Sequence, residues 1–264
     1  VANPLSEEQG VLRTAIVPSL LNAARLNQYH GQWDLRLFEL SRVFRQRAPS
    51  GPPEELASFA GLLAADREAA LWCEEKRPVD FHDLKGVLEA LAASFREEWD
   101  FRRDGTVPPF LDPAQAAAVR RGGELLGHLG LVRARVAEAF GLKRSGGPVF
   151  VFEIATAGLP HETRPVFEEF PGFPPVVRDL AVLVDAGIPA ADLERAVRRG
   201  PYPLRRVSVF DVYKGDRLPA GKKSVAFRLH FQDSARTLTE ELVSGYFKSI
   251  LGALEAEFGA TLRA

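Results

Sequence analysis

Val225, Phe227, Leu229 and Phe231 alternate with Ala226, Arg228, His230 and Gln232. A period of two, with the large apolar side chains all on one parity, fits a strand that buries one face and leaves the other open. The C-terminal part of the chain therefore has to supply both a sheet and a layer to cover it. Residues 178–184 and 207–213 read as two further strands, and 260–263 as a possible last one. Residues 189–199 read as a helix with Leu193, Ala196 and Val197 inward. Thr239, with Glu240 and Glu241 behind it, starts a longer helix whose stripe is Val243, Phe247, Ile250, Leu251, Leu254 and Phe258, stopped by Gly259. The order βαββαβ is the split ferredoxin-like arrangement, with two helices on one face of an antiparallel sheet. That fold serves RNA binding, ligand sensing and metal handling, so function has to come from its residues.

The same region concentrates positive charge. The chain has 264 residues and a formal net charge of −1, yet eleven Lys or Arg against three Asp lie between Arg195 and Arg236, a local charge of +8. A loop rich in Gly, Pro and Lys joins 207–213 to 224–232. A basic ribbon carrying Tyr213 beside Asp211 suits a phosphate backbone with an unstacked base. In a regular strand those two residues share one side, which fits a binding face or a merely solvated one.

Upstream, Leu5-Ser6-Glu7-Glu8 reads as a helix start. Residues 11–28 are apolar and dotted with Arg and Asn, and Pro18 either begins a second helix or kinks the first. Leu20, Leu21, Ala24 and Leu26 are spaced to bury one face, either in a private core or against another subunit. Residues 35–40 open a strand that continues through Val43 and Phe44, and 48–55 form a loop. The apolar run 56–65 is read as a buried strand and 72–78 as an edge and turn. Residues 81–99 read as a helix. Turn signals at Asp104-Gly105, Pro108-Pro109 and Asp112-Pro113 break up the next stretch. Residues 124–131 read as a strand with glycine positions, 132–140 as a short helix and 149–154 as a continuously apolar strand. Five Pro and two Gly then fall in 158–175. The expected organisation is a domain over 1–157, a Pro-rich linker over 158–175 and a second domain over 176–264.

Chemistry of the common kinds is not encoded. The chain carries no phosphate-binding glycine loop, nucleophile elbow or HExxH zinc motif. His30, His82, His128, His161 and His230 are scattered, and adjacent residues such as His82 and Asp83 point apart on a helix. Catalytic residues, cofactor sites and metal sites are therefore all read as none. Cys73 is the single cysteine, which fits a reducing cytoplasm. No apolar run approaches the ~20 residues that span a bilayer, so no membrane partner is expected. With no Met anywhere and a start at Val1-Ala2-Asn3-Pro4, the sequence is read as a fragment or a processed product.

Two pieces carry a family resemblance. Leu37-Phe38-Glu39-Leu40-Ser41-Arg42-Val43-Phe44-Arg45-Gln46-Arg47 resembles the second signature motif of class II aminoacyl-tRNA synthetases, a strand ending in Phe-Arg-x-Glu. Leu12-Arg13-Thr14-Ala15-Ile16-Val17-Pro18-Ser19-Leu20-Leu21 resembles the first, whose helix and proline build a subunit interface. Arg47 stands where catalytic members carry Glu, and the third motif has no counterpart, so the first domain resembles a synthetase core without its chemistry. Together with Asn3-Pro4-Leu5-Ser6, Arg178-Asp179-Leu180-Ala181, Phe210-Asp211-Val212-Tyr213-Lys214-Gly215, Gly221-Lys222-Lys223-Ser224-Val225-Ala226-Phe227 and Arg236-Thr237-Leu238-Thr239, the chain resembles the bacterial phenylalanyl-tRNA synthetase β-subunit family over nearly its whole length. Two stretches depart from it: Asp112 replaces a usual His, and Val132-Arg133-Ala134 lacks a His-Pro pair.

The resemblance implies an α+β chain: a degenerate class II synthetase-like antiparallel-sheet domain, then a ferredoxin-like βαββαβ anticodon-binding domain. It implies a non-catalytic scaffold that contacts the α subunit in an α2β2 assembly and binds the anticodon arm of the phenylalanine tRNA, in the cytoplasm. The complete enzyme would attach phenylalanine to tRNA with ATP and Mg; this chain alone would be inactive and need no cofactor. Carried to matching positions, it puts Tyr213 against the first anticodon base by stacking, with Asp211 accepting from a base or ribose. Arg178, Lys214, Lys222 and Lys223 are added here as cations expected to meet phosphates. The competing reading is a small-ligand, amino-acid-sensing ferredoxin-like module with no tRNA role.

Overall fold

A computed structural model of the chain describes residues 10–47, 51–67, 77–103, 105, 107–143, 146–157, 159, 167 and 170–263. The helix start at Leu5–Glu8, the Asn3–Ser6 motif, Cys73, His161 and most of 158–175 lie outside the described residues. The chain divides into two compact units, Val1–Pro165 and Val166–Ala264.

In the first unit, α1 (Val17–Tyr29) carries Pro18 in its first turn, where a missing N–H leaves no hydrogen bond unmade. Pro18 thus begins a helix rather than kinking one. β1 (Leu35–Arg45) pairs antiparallel with β2 (Glu54–Ala64) over its whole length. The short strands β3 (Asp66–Arg67) and β4 (Arg77–Pro78) pair with each other. Next come α2 (Phe81–Ser94), β5 (Asp100–Arg102), β6 (Leu111–Arg121), β7 (Glu124–Val132), α3 (Ala134–Ala139) and β8 (Phe150–Ala155). The six-stranded sheet runs β1-β2-β8-β7-β6-β5 with every neighbour antiparallel.

Both faces of this sheet are covered. On one, Leu20, Leu21 and Ala24 of α1 pack with Ala60, Leu62 and Val151. On the other, Leu84, Leu88 and Ala92 of α2 pack with Leu63, Phe150, Phe152 and Ile154. β2 from Leu56 onward and β8 therefore read as largely apolar runs, interrupted by Ser58 and Glu153, because side chains of either parity are buried. Leu20 and Leu21 belong to this private core, whereas Leu26 is exposed.

Three expectations need correction. The turn signals over 104–113 imply a broken region, yet β6 begins at Leu111 and runs through Asp112-Pro113. The pairing jumps from Leu111↔Val132 to Ala116↔Gly130, so Pro113 sits in an irregular stretch where it owes the ladder no N–H. β5, pairing over Asp100–Arg102, is too short to carry a periodic signal. The helix expected over 81–99 stops at Ser94, because Arg96 takes a left-handed backbone at φ 58°. Its start is well defined: the Asp80 carboxylate accepts from the amides of His82 and Asp83, and Asp83 reciprocates to the Asp80 amide.

The second unit runs β9 (Val176–Asp185), α4 (Ala190–Arg198), β10 (Leu204–Tyr213), β11 (Lys222–Phe231), α5 (Glu240–Phe258) and β12 (Thr261–Leu262). Its sheet order is β10-β11-β9-β12, with the first and third strands central, which is the ferredoxin-like βαββαβ topology. Leu193 and Val197 of α4 and Val243, Ile250 and Leu254 of α5 cover one face, packing on Leu180, Val182, Val184, Val225, Phe227, Leu229 and Phe231. Thr239 caps α5, and Gly259 ends it at φ +60°, a conformation that favours glycine.

Candidate nucleic-acid interface

The face of the second sheet turned away from α4 and α5 is formed by the parity of β11 that the core does not use: Ser224, Ala226, Arg228 and His230. Its neighbours on β9 are Asp179, Ala181 and Leu183. On β10 the alternation alone gives a different answer from the structure. Val207 lies opposite Leu229 and Val209 opposite Phe227, both on the core side. Continuing that parity would drive Asp211 and Tyr213 toward the core as well. A register shift between Val209 and Asp211 makes Phe210 an extra residue, after which Asp211 lies opposite Ala226 and Tyr213 opposite Ser224. This β-bulge puts both residues on the open face, the re-aiming of side chains that bulges perform.

Tyr213 is half-buried and Asp211 exposed. The guanidinium carbon of Arg263, just beyond β12, lies over the Tyr213 ring at 5.1 Å from its centroid. At Gly215 a Cβ would come within 2.5 Å of the Tyr213 hydroxyl, so the turn passes close to the tip of the ring. Ser224 and Ala226, opposite Tyr213 and Asp211, are small and buried, so at this end of the sheet the accessible groups are those of β10 and the turn after it.

The four cations separate. Lys214 is exposed and follows Tyr213 directly. Lys222 lies opposite Asp185, shares the parity of Ser224 and bridges that carboxylate at 2.8 Å. Lys223 faces the other way: it is 7% exposed and donates to the Ile188 carbonyl. Burial pulls its ammonium pKa down, and the charge of Lys214 adds to this. Arg178 lies opposite Leu229, with the core parity, and pairs with Glu240 at the start of α5. The structure thus gathers Tyr213, Asp211, Lys214 and Lys222 around one end of β10 and places Arg178 and Lys223 elsewhere.

The local charge of +8 is also less free than the sequence suggests. Arg195, Arg198, Arg199, Arg228 and Arg236 bridge Asp192, Glu194, Glu257, Asp179 and Asp233 respectively. Arg205, Arg206, Lys214 and Arg217 make no ion pair among the described residues. Sequence reasoning passes over Phe210, Arg228 and Arg263. Only the first has a signal, as part of the quoted Phe210–Gly215 motif.

In the first unit the two motif-like segments meet through Arg13. Its guanidinium bridges Glu39 at 2.7 Å, donates to the Arg42 carbonyl at 3.1 Å and also bonds Ser41. Arg45 lines a cavity of about 360 Å³ together with Ser58, Phe110, His128 and Glu153. Glu153 is already engaged: Oε2 accepts from the amides of Ile16 and Val17 at 2.9 and 3.2 Å, and Oε1 from the Ser58 hydroxyl at 3.3 Å. Arg47 bridges Glu54 at 2.6 Å. Phe38 and Leu40 are exposed on the edge strand β1, as are Leu26 and Tyr29 on α1. Among the described residues there is no group of three or more metal-ligating side chains, and no helix is long and apolar enough to cross a membrane.

Comparison with known proteins covers both units. A family model described as the phenylalanyl tRNA synthetase beta chain CLM domain matches residues 1–156, and one described as the ferredoxin-fold anticodon binding domain matches residues 171–263. Among curated proteins, the phenylalanine–tRNA ligase beta subunit of Geobacillus kaustophilus (strain HTA426) is 38% identical over 266 residues, spanning 100% of this chain and 33% of the relative. That of Geobacter sulfurreducens is 36% identical, over 99% of this chain and 33% of the relative. That of Coxiella burnetii is 34% identical over 100% and 33%. The chain spans about a third of the length of these relatives.

Proposed function

From the fact that this chain belongs to the phenylalanyl-tRNA synthetase β-chain family, we propose that it is the non-catalytic, tRNA-holding end of a phenylalanine–tRNA ligase β subunit. In this reading the ferredoxin-like unit receives the anticodon arm of the phenylalanine tRNA. The first unit, a class II-like core, contacts the α subunit within an α2β2 assembly in the cytoplasm. The observation that carries the reading is the open sheet face on which the bulge at Phe210 turns Tyr213 and Asp211 outward together.

Base–aromatic stacking contributes ~1–3 kcal/mol per base and accepts any base through its π face. Hydrogen bonds then have to supply selectivity, and Asp211 beside the ring is an acceptor for a base or ribose donor. Lys214, exposed next to Tyr213, and Lys222, which bridges Asp185, would each add a salt-sensitive increment by meeting phosphates that flank a stacked base. Contact with the α subunit is supported by the exposed apolar side chains Leu26, Tyr29, Phe38 and Leu40, which the first unit's own core leaves uncovered. ATP and Mg would be handled by the catalytic partner, whose attachment of phenylalanine this chain supports without chemistry of its own.

The test is an anticodon stem-loop titrated against wild type and Tyr213→Ala, alongside a pull-down with the α subunit and labelled phenylalanine tRNA. Capture of both partners by the wild type, with stem-loop affinity reduced about tenfold or more by Tyr213→Ala, supports the reading. Equal affinity of the two proteins removes the stacking claim. Binding of free amino acids with no tRNA binding would favour the sensing module instead.

A further inference from the structure

The open face carries a second aromatic, distinct from Tyr213. Phe210 is the extra residue of the β10 bulge and stays 51% exposed, so no core packing accounts for it. The guanidinium carbon of Arg228 lies 4.9 Å from its ring centroid. Arg228 is in turn held by two hydrogen bonds to Asp179, Nε to Oδ1 and Nη2 to Oδ2, both 2.8 Å. A bidentate pair of this kind fixes the guanidinium plane as well as its position. The Asp179 charge also balances Arg228, which leaves a flat, nearly neutral surface rather than a phosphate trap. A guanidinium also lies over the other aromatic ring of this face, Arg263 over Tyr213.

We propose that Phe210 and Arg228 form a second nucleobase seat, so that the open face stacks two bases of one single strand. This rests on the reading that the face binds RNA, and adds a separate subsite to it. Aromatic rings and arginine planes are the two kinds of surface on which unstacked bases settle in protein–RNA recognition. The two seats lie three residues apart on one strand, at most about 10 Å at the usual strand rise. A separation near that limit exceeds the rise between stacked bases and would hold the strand splayed, one base per seat. Phe210 reads no base edge. It contributes affinity and order, while discrimination stays with groups such as Asp211.

The experiment uses the full-length protein and an anticodon stem-loop carrying 2-aminopurine at one anticodon position at a time. Stacking on a ring changes the emission of that base. Wild type should perturb the probe at two positions. Phe210→Ala should abolish the change at one of them and lower affinity about tenfold, Tyr213→Ala should abolish it at the other, and Phe210→Tyr should behave as wild type. If Tyr213→Ala weakens binding while Phe210→Ala leaves affinity and every probe unchanged, the second seat is overturned and the anticodon reading stands. If the wild type does not bind the stem-loop, both fall.

Discussion

Lys222 and Lys223 are neighbours in sequence and point to opposite sides of a sheet, so replacing them should have unlike effects. Lys222 shares the open face with Tyr213, and its partner Asp185 is largely exposed. An exposed pair of this kind contributes little to stability. We expect Lys222→Ala to leave urea unfolding unchanged and to reduce the salt slope of stem-loop binding by about one unit. Lys223 is buried against the Ile188 carbonyl, and burial lowers its pKa, with the Lys214 charge acting in the same direction. Between that lowered value and the ordinary 10.5, the unfolded chain holds a proton that the folded chain has released. Stability therefore rises with pH through this window. Lys223→Met should remove the rise, seen as urea midpoints that no longer increase on the alkaline side, and leave the salt slope alone. A salt slope reduced equally by both substitutions would overturn the assignment. Composition marks both lysines as basic; facing is a property of pairing, which the residues Gly-Lys-Lys do not encode by themselves.

At the level of strands and helices, legibility follows how much of an element's reason for existing is local. β11 is readable from its alternation because its large apolar side chains share one parity, while the other carries the small Ser224 and Ala226 and the polar Arg228 and His230. α5 is readable from its stripe, its Thr239 cap and its Gly259 stop. β6 is not: Ala116, Ala117 and Ala118 have no strand preference, and Asp112-Pro113 signals a turn. That strand is fixed by pairing with β7, where Ala116 is set against Gly130 and a Cβ on the glycine would lie 2.7 Å from the Gln115 carbonyl oxygen. The bulge at Phe210 is equally invisible, since it emerges only when two strands are counted against each other. The glycines of β7 make this dependence testable. A Cβ on Gly127 would lie 2.0 Å from the Glu153 carbonyl oxygen, in the pairing of β7 with β8 at the middle of the sheet. Neither strand can give way without disturbing the cores on both faces. Gly127→Ala should thus cost about 1–3 kcal/mol, measured as a lowered urea midpoint. Gly86, inside α2 with nothing within 4 Å of its would-be Cβ, is the control. There the same substitution should stabilise by about 0.5–1 kcal/mol.

For the molecule as a whole, the proposed reading assigns the chemistry to a partner subunit. Activating an amino acid with ATP requires several cations, metal or side chain, converging on a triphosphate, because its charge has to be stabilised while the α-phosphate is attacked in line. The cavity of the first unit offers the Arg45 guanidinium and the Glu153 carboxylate, whose oxygens are already engaged by the Ile16 and Val17 amides and the Ser58 hydroxyl. Two positions on, Arg47 is bound to Glu54 on the adjoining strand, and its positive charge is of the wrong sign to hold a cation that would accompany ATP. We therefore expect the purified chain to give no ATP–pyrophosphate exchange with phenylalanine above background. Exchange should appear once the α subunit is added, and Arg45→Ala in this chain should leave that exchange unchanged. A single assay series distinguishes the alternatives. Exchange by the chain alone that Arg45→Ala abolishes would make the cavity a working active site. Exchange lost from the assembled enzyme on Arg45→Ala would give Arg45 a part in the partner's chemistry. Exchange that depends on the α subunit and ignores Arg45 would agree with the proposed scaffold role.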